Sequence, residues 1–112
     1  GKMISVQEYY QARKQAVDAG RNKENDPWIW ERKTRAIKWH NEKIDWADAI
    51  LVTNYDKKGV PGYVGGNTLI EMGVAFFLNK KIYLLNQIPE LPYKEEIIGM
   101  NPEILNGKIE KV

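Results

Sequence analysis

The 112-residue sequence predicts an α/β domain built on a parallel sheet, and three features carry that expectation. Ala49-Ile50-Leu51-Val52-Thr53 is a short, continuous apolar run, the pattern of a strand covered on both faces, and Lys81-Ile82-Tyr83-Leu84-Leu85-Asn86 reads as another buried strand. Between them lie a turn-rich stretch, Asn54 to Gly66, and a helical segment. The order strand, loop, helix, strand describes a right-handed crossover unit. Ahead of the first run, the segment Pro27 to Trp46 supplies an amphipathic helix to cover the sheet.

Taken in order, Ser5-Val6-Gln7-Glu8 has the S-x-x-E form of a capping box, which predicts a helix from there to about Ala19, closed by Gly20. Arg21 to Asp26 reads as a polar loop. Asp26 as N-cap and Pro27 at the first helical position then open the second helix. In it Ile29, Ala36, Ile37, His40 and Ile44 share one side, whereas Glu31, Arg32, Arg35 and Glu42 fall mostly elsewhere. The third helix, Thr68 to Asn79, is apolar almost all round, so it is expected against the sheet and against another subunit as well. A short helix near Tyr93 to Met100 leads into a last extended segment, Ile104 to Val112.

Length and composition narrow the function. The chain is one small domain, residues 1–112, and without cysteine it has no disulfide framework, thiolate metal site or cysteine nucleophile. A formal net charge of +2 from nearly balanced acids and bases argues against a nucleic-acid partner. The basic, aromatic stretch Trp28 to Trp39 resembles a single-strand binder in composition, but reads more simply as an amphipathic helix with a solvated basic edge. No apolar stretch approaches a membrane span, and no charged-then-apolar leader is seen, so a cytoplasmic protein without a membrane partner is expected. Scattered Asp and Glu and one histidine show no metal-ligand spacing, and neither a metal nor another cofactor is expected.

Glu71 is the only charged residue between Lys58 and Lys80. A carboxylate in such a run is expected to be hydrogen-bonded, paired or chemically employed. Thr68-Leu69-Ile70-Glu71 has capping-box spacing, which accounts for it without chemistry. The alternative is a nucleophile or electrostatic partner for an oxocarbenium-like sugar, since one well-placed carboxylate can trap an anomeric carbon. Gly65-Gly66-Asn67-Thr68 would either cradle a phosphate or hydroxyl at the helix N-terminus or form an ordinary turn. It fits neither the Walker pattern nor G-x-G-x-x-G. Asn54 and Tyr55 follow the first clear strand, at the end of the sheet where such folds bind ligands. His40, the sole histidine, is a hydrogen-bonded core residue or a proton-transfer group.

Asp48-Ala49-Ile50-Leu51-Val52, then Tyr63-Val64-Gly65-Gly66-Asn67-Thr68-Leu69-Ile70-Glu71-Met72-Gly73-Val74-Ala75, then Lys80-Lys81-Ile82-Tyr83-Leu84-Leu85 together resemble the nucleoside 2-deoxyribosyltransferase superfamily, which includes deoxynucleoside monophosphate N-glycosidases. The resemblance covers about Trp39 to Leu85 and, more loosely, Tyr93 to Val112. It implies a flavodoxin-like, Rossmann-like three-layer fold, with Glu71 as the glutamate nucleophile and a homodimer or higher homo-oligomer completing the sites. Family members carry an aspartate two turns before the strand-leading aspartate, and His40 stands at that position ahead of Asp48. A structural role is expected for Asp48, at the amino end of its strand.

Two departures accompany the likeness. Gly65 replaces the family's acidic or hydroxylated residue six positions before the glutamate, and the family's first two strands are not visible, so the sheet is expected to lack them. The implied activity is cleavage or transfer of the N-glycosidic bond of a nucleoside or nucleoside monophosphate. Glu71 would attack the sugar, His40 would protonate or position the base, and Asn54, Tyr55, Tyr63, Gly65, Gly66 and Asn67 would line the pocket. The alternative is a non-catalytic nucleotide-binding or interaction module of the same fold.

Overall fold

The computed structural model of the chain describes residues 1–6 and 27–112. In order, these form β1 (Met3–Val6), α1 (Pro27–Trp46), β2 (Ala49–Val52), α2 (Gly66–Phe77), β3 (Lys81–Leu84), α3 (Lys94–Gly99) and β4 (Glu103–Ile104), with a 3₁₀ turn at Ile109–Lys111. The four strands make one parallel sheet in the order β1-β2-β3-β4. The α/β class and the strand–helix–strand unit around α2 are as the sequence predicts.

The beginning of the chain is not. Ser5, expected to cap a helix, pairs with Leu51 inside β1, and Val6 pairs with Val52. The sheet therefore has the first strand that the sequence reading left out. A helix cap is worth about 1 kcal/mol, whereas burying one valine contributes roughly 1.5–3 kcal/mol. Val6 is 4% exposed, so pairing with β2 outweighs the cap. The rest of the expected first helix, its Gly20 stop and the loop to Asp26 lie outside the described residues.

Asp48 fixes this register at the amino end of the sheet, in the structural role expected of it. Its Oδ2 accepts the Lys2 backbone N–H at 2.8 Å, and its own N–H donates to the Lys2 carbonyl at 2.7 Å. The Lys2 N–H holds the Asp48 carboxyl below the usual aspartate range, aided by the charges of Lys2, the N-terminus and Lys80.

α2 begins two residues before the expected Thr68, with Gly65 as N-cap, so Thr68 is the third helical residue and its capping box with Glu71 does not form. At the other end, β4 is Glu103–Ile104, so of the expected extension Ile104 to Val112 only Ile104 is paired with β3. Asn106 and Gly107, with φ of 53° and 77°, turn the chain immediately afterwards. Asn-Gly is the residue pair such left-handed turns favour.

The core joins Ile44 of α1, Ile50 and Val52 of β2, Met72 and Ala75 of α2, Ile82 and Leu84 of β3, and Ile97 of α3. α1 and α2 pack side by side, and Lys33 Nζ donates to Asn67 Oδ1 across their seam. The basic edge of α1 is partly folded onto its own tryptophans, Arg32 over Trp28 and Lys43 over Trp39. Among the described residues no helix is long and apolar enough to cross a membrane.

Candidate functional site

The carboxyl end of β2 opens into a cavity of about 110 Å³. Its walls come from Val52 and Thr53 at the strand end, from Asn54, Tyr55, Lys57 and Tyr63 in the following loop, and from Thr68 of α2. Ligand pockets for drug-sized molecules run to roughly 300–1,000 Å³, so the enclosed part suits one small polar group, such as a phosphate or a sugar edge.

Asn54 holds the loop in place. It is 2% exposed, and its Nδ2 donates to the carbonyls of Gly62, Asn86 and Gln87 at 3.0–3.2 Å. Its Oδ1 accepts the Asn86 N–H at 2.9 Å, and its carbonyl accepts Asn86 Nδ2 at 3.0 Å. Although it lines the cavity as the sequence predicts, its hydrogen-bonding capacity is spent on the fold. Gly62 completes the clamp: its φ is +67°, its N–H donates to Asp56 Oδ1, and a Cβ there would come within 2.4 Å of the Gln87 carbonyl oxygen.

Lys57 and Val60 close a hairpin, exchanging N–H···O bonds of 2.9 and 3.1 Å around Lys58 and Gly59, both at positive φ. This sets Lys57 at the cavity wall and Lys58 over the Tyr63 ring, 5.5 Å from its centroid. Tyr55, 59% exposed, stands at the mouth. The Tyr93 hydroxyl donates to the Val64 carbonyl and fixes the approach to α2.

The first turn of α2 is Gly66, Asn67 and Thr68, and its N-cap makes no side-chain hydrogen bond. The first N–H groups of a helix have no acceptor within it and carry the positive end of its dipole, so this turn favours anionic or hydroxyl oxygens. Thr68 is 2% exposed, and its Oγ1 has no hydrogen-bond partner among the described residues. A buried hydroxyl without a partner costs roughly 1–3 kcal/mol. Its place in the cavity wall is what a ligand oxygen would relieve.

Glu71 lies one turn further along α2. Asn67, Glu71 and Val74 share a helix side, and the Lys33 contact turns that side towards α1. The Glu71 side chain is partly buried, with Oε2 sealed from solvent. Thr68 and Glu71 are neighbours at i, i+3, with Cβ atoms roughly 5–6 Å apart, but only Thr68 reaches the cavity wall.

His40 is more distant from the cavity. Lys33 of α1 stands opposite Asn67, and both helices run against the strands. His40 therefore lies about 10 Å further along the seam, at the 1.5 Å rise per residue of a helix. Its ring packs edge-on against Trp39, with centroids 5.3 Å apart. Burial, then the positive charges of Lys43 and Lys33, hold its imidazole below the ordinary histidine range. It is neutral at pH 7.

That depression has a stability consequence of known sign. The unfolded histidine protonates near pH 6.5 and the folded one only at lower pH, so the contribution of His40 is present above about 6.5 and is lost as pH falls through the folded value. NMR titration of the His40 ring is expected to give a midpoint below about 6.5. His40→Asn should flatten the fall in melting temperature between about pH 7 and 5.

Of the residues the sequence marked, Tyr55, Tyr63 and Asn54 line the cavity, Gly65, Gly66 and Asn67 form the cap and first turn of α2 beside it, and Glu71 and His40 do not reach its wall. Thr53 and Lys57 carry no mark in the sequence, and Thr68 is marked only as a cap and as part of the Gly65 to Thr68 turn, not for its side-chain hydroxyl. Thr53 and Lys57 adjoin the marked Asn54-Tyr55 pair, and Thr68, taken as a cap, carries the only hydroxyl of α2. Among the described residues no three His, Cys, Asp or Glu side chains group to hold a metal ion. Compared with family models, curated proteins and solved structures, the chain gives no match.

Proposed function

We propose that the protein binds a nucleoside or nucleoside monophosphate at the carboxyl end of β2 and cleaves or transfers its N-glycosidic bond, with Glu71 as nucleophile. The observation that carries this reading is the buried, unpartnered Thr68 hydroxyl in a cavity wall at the N-terminus of α2, one turn from Glu71. The sugar edge or its phosphate takes the cavity, and the base lies outward towards Tyr55 and Tyr63.

In the reaction the Glu71 carboxylate attacks the anomeric carbon as the bond to the base nitrogen breaks, and the electron pair leaves with the base, which takes up a proton. Water or a second base then displaces the carboxylate. A neutral His40 suits holding or accepting a proton better than supplying one at pH 7. Among the described residues the sheet order β1-β2-β3-β4 supports the flavodoxin-like reading, since it matches the 1-3-4-5 part of the order 2-1-3-4-5.

A non-catalytic nucleotide-binding or interaction module is the second reading, favoured by the absence of Glu71 and His40 from the cavity wall. Incubation with a panel of nucleosides and their monophosphates, with and without free base, separates the two. Chromatography is expected to detect released or exchanged base from at least one substrate. Saturable binding without release across the whole panel supports the module, and no binding at all removes both readings.

A further inference from the structure

Three tryptophans stand in one line on the outward side of α1. Trp28, Arg32, Arg35, Trp39, Glu42 and Trp46 follow one another at spacings of four, three, four, three and four, the repeat of a helix–helix seam. The line is opposite Ile44, which α1 buries in the core, so it faces away from the sheet. Trp39 and Trp46 are 57% and 58% exposed. Tryptophan is on average a well-buried residue, and a row of such rings along about 27 Å of helix is the kind of apolar surface that marks an interaction site.

Each ring also carries a cation. Arg32 lies over Trp28 at 5.2 Å from the ring centroid, Lys43 over Trp39 at 4.4 Å, and Lys2, beside β1, over Trp46 at 4.5 Å. With Arg35, four cations line the stripe against the two carboxylates of Glu31 and Glu42. The small net charge of the whole chain hides this local excess.

We infer that the stripe docks a helix of another protein, apolar along the centre of its contact face and acidic along the edges. Apolar side chains of that helix cover Trp28, Trp39 and Trp46, and its carboxylates pair with Arg32, Arg35 and Lys43. Tryptophan and arginine are the residues that carry most binding energy in protein interfaces, and the four-three spacing fits a second helix laid alongside. A second copy of the chain would bring the same excess of positive charge, whereas an acidic helix brings its complement. A nucleic-acid strand stacks its bases on open ring faces, but here a cation covers a face of each tryptophan. A uniformly anionic strand or bilayer would also set its charge against Glu42, between Trp39 and Trp46, where a polypeptide can place a neutral or basic residue. The rings offer less than the roughly 800 Å² of a standard half-interface, so the contact is a transient one, with a dissociation constant of about 10–100 µM. It is independent of the chemistry proposed at the cavity.

The probe is a helical peptide of three heptads with leucine at a and d and glutamate at e and g, whose own charges keep it from pairing with itself. Labelled with a fluorophore and titrated with the protein, it is expected to bind saturably and to weaken at least tenfold between about 0.05 and 0.5 M salt. The same peptide with lysine at e and g should bind at least tenfold more weakly. Arg32→Glu with Arg35→Glu, both at exposed positions, should leave circular dichroism unchanged and reverse the preference between the two peptides. Trp39→Gln should weaken the glutamate peptide at least fivefold. No saturable binding below about 1 mM, equal affinity for the two peptides, or an unchanged preference in the double variant overturns the inference. So does tighter binding of oligothymidine or of phosphatidylserine vesicles than of the glutamate peptide, which would give the stripe to a strand or a bilayer. A parent whose mass in sedimentation rises above 13.0 kDa and is returned to it by Trp39→Gln would give the stripe to a second copy instead.

Discussion

Replacing Glu71 by glutamine is expected to lower base release by at least about 10³-fold while leaving ligand affinity within about threefold. Glutamine matches glutamate in size and keeps a carbonyl oxygen where Oε2 is buried, so the packing of α2 on α1 and the sheet is retained. What it lacks is the negative charge and the nucleophilic pair. A carboxylate that attacks the anomeric carbon is used only as the bond to the base breaks, so its loss falls on kcat rather than on binding. Calorimetric titration with the best substrate of the panel, beside its turnover, reads the two effects separately. Equal turnover by the variant and the parent would reject Glu71 as nucleophile. Lost turnover together with lost affinity would make Glu71 a binding residue instead.

The parts of this fold legible in the sequence are those where one local signal dominates. Ala49 to Val52 and Ile82 to Leu84 are short apolar runs with the pattern of strands in a covered sheet, and the amphipathic spacing ahead of them matches α1, described over Pro27–Trp46. β1 is not legible locally, because Ser5 and Glu8 have the spacing of a cap whereas the pairing with Leu51 and Val52 that decides the segment is far away in sequence. The same limit applies at α2. Thr68 and Glu71 have the spacing of a box, yet the chain turns into the helix at Gly66, which the core contacts of Thr68, Met72 and Ala75 decide.

Asn54, Tyr55 and Tyr63 line a cavity at the carboxyl end of β2, a place the sequence shows because strand ends are readable. Whether a side chain there faces a ligand or the protein is not readable. Asn54 belongs to the loop clamp because the carbonyls of Gly62, Asn86 and Gln87 converge on it, a convergence of distant segments that no local pattern announces.

Asn54→Ala is accordingly expected to destabilise the domain by about 2–4 kcal/mol, a large share of the roughly 5–15 kcal/mol that holds a domain of this kind. Two hydrogens of Nδ2 are shared among three carbonyls, and Oδ1 satisfies the Asn86 N–H, so alanine strands groups in both strand-end loops at once. Asn54→Asp should do no better: it keeps the acceptor but turns a carboxylate towards the carbonyls of Gly62 and Gln87. Gly62→Ala attacks the same clamp from the other side, adding left-handed strain to a 2.4 Å clash. Gly59→Ala, at φ +73° with nothing within 4 Å, should cost only about 1–2 kcal/mol. Urea unfolding checks the order, and an Asn54→Ala midpoint equal to that of the parent would refute the clamp. Because the clamped loop carries Tyr55, Lys57 and Tyr63, the Asn54 variant should lose ligand affinity along with stability. Glu71→Gln should lose neither, so the pair of variants separates the residue that builds the cavity from the one proposed to act beside it.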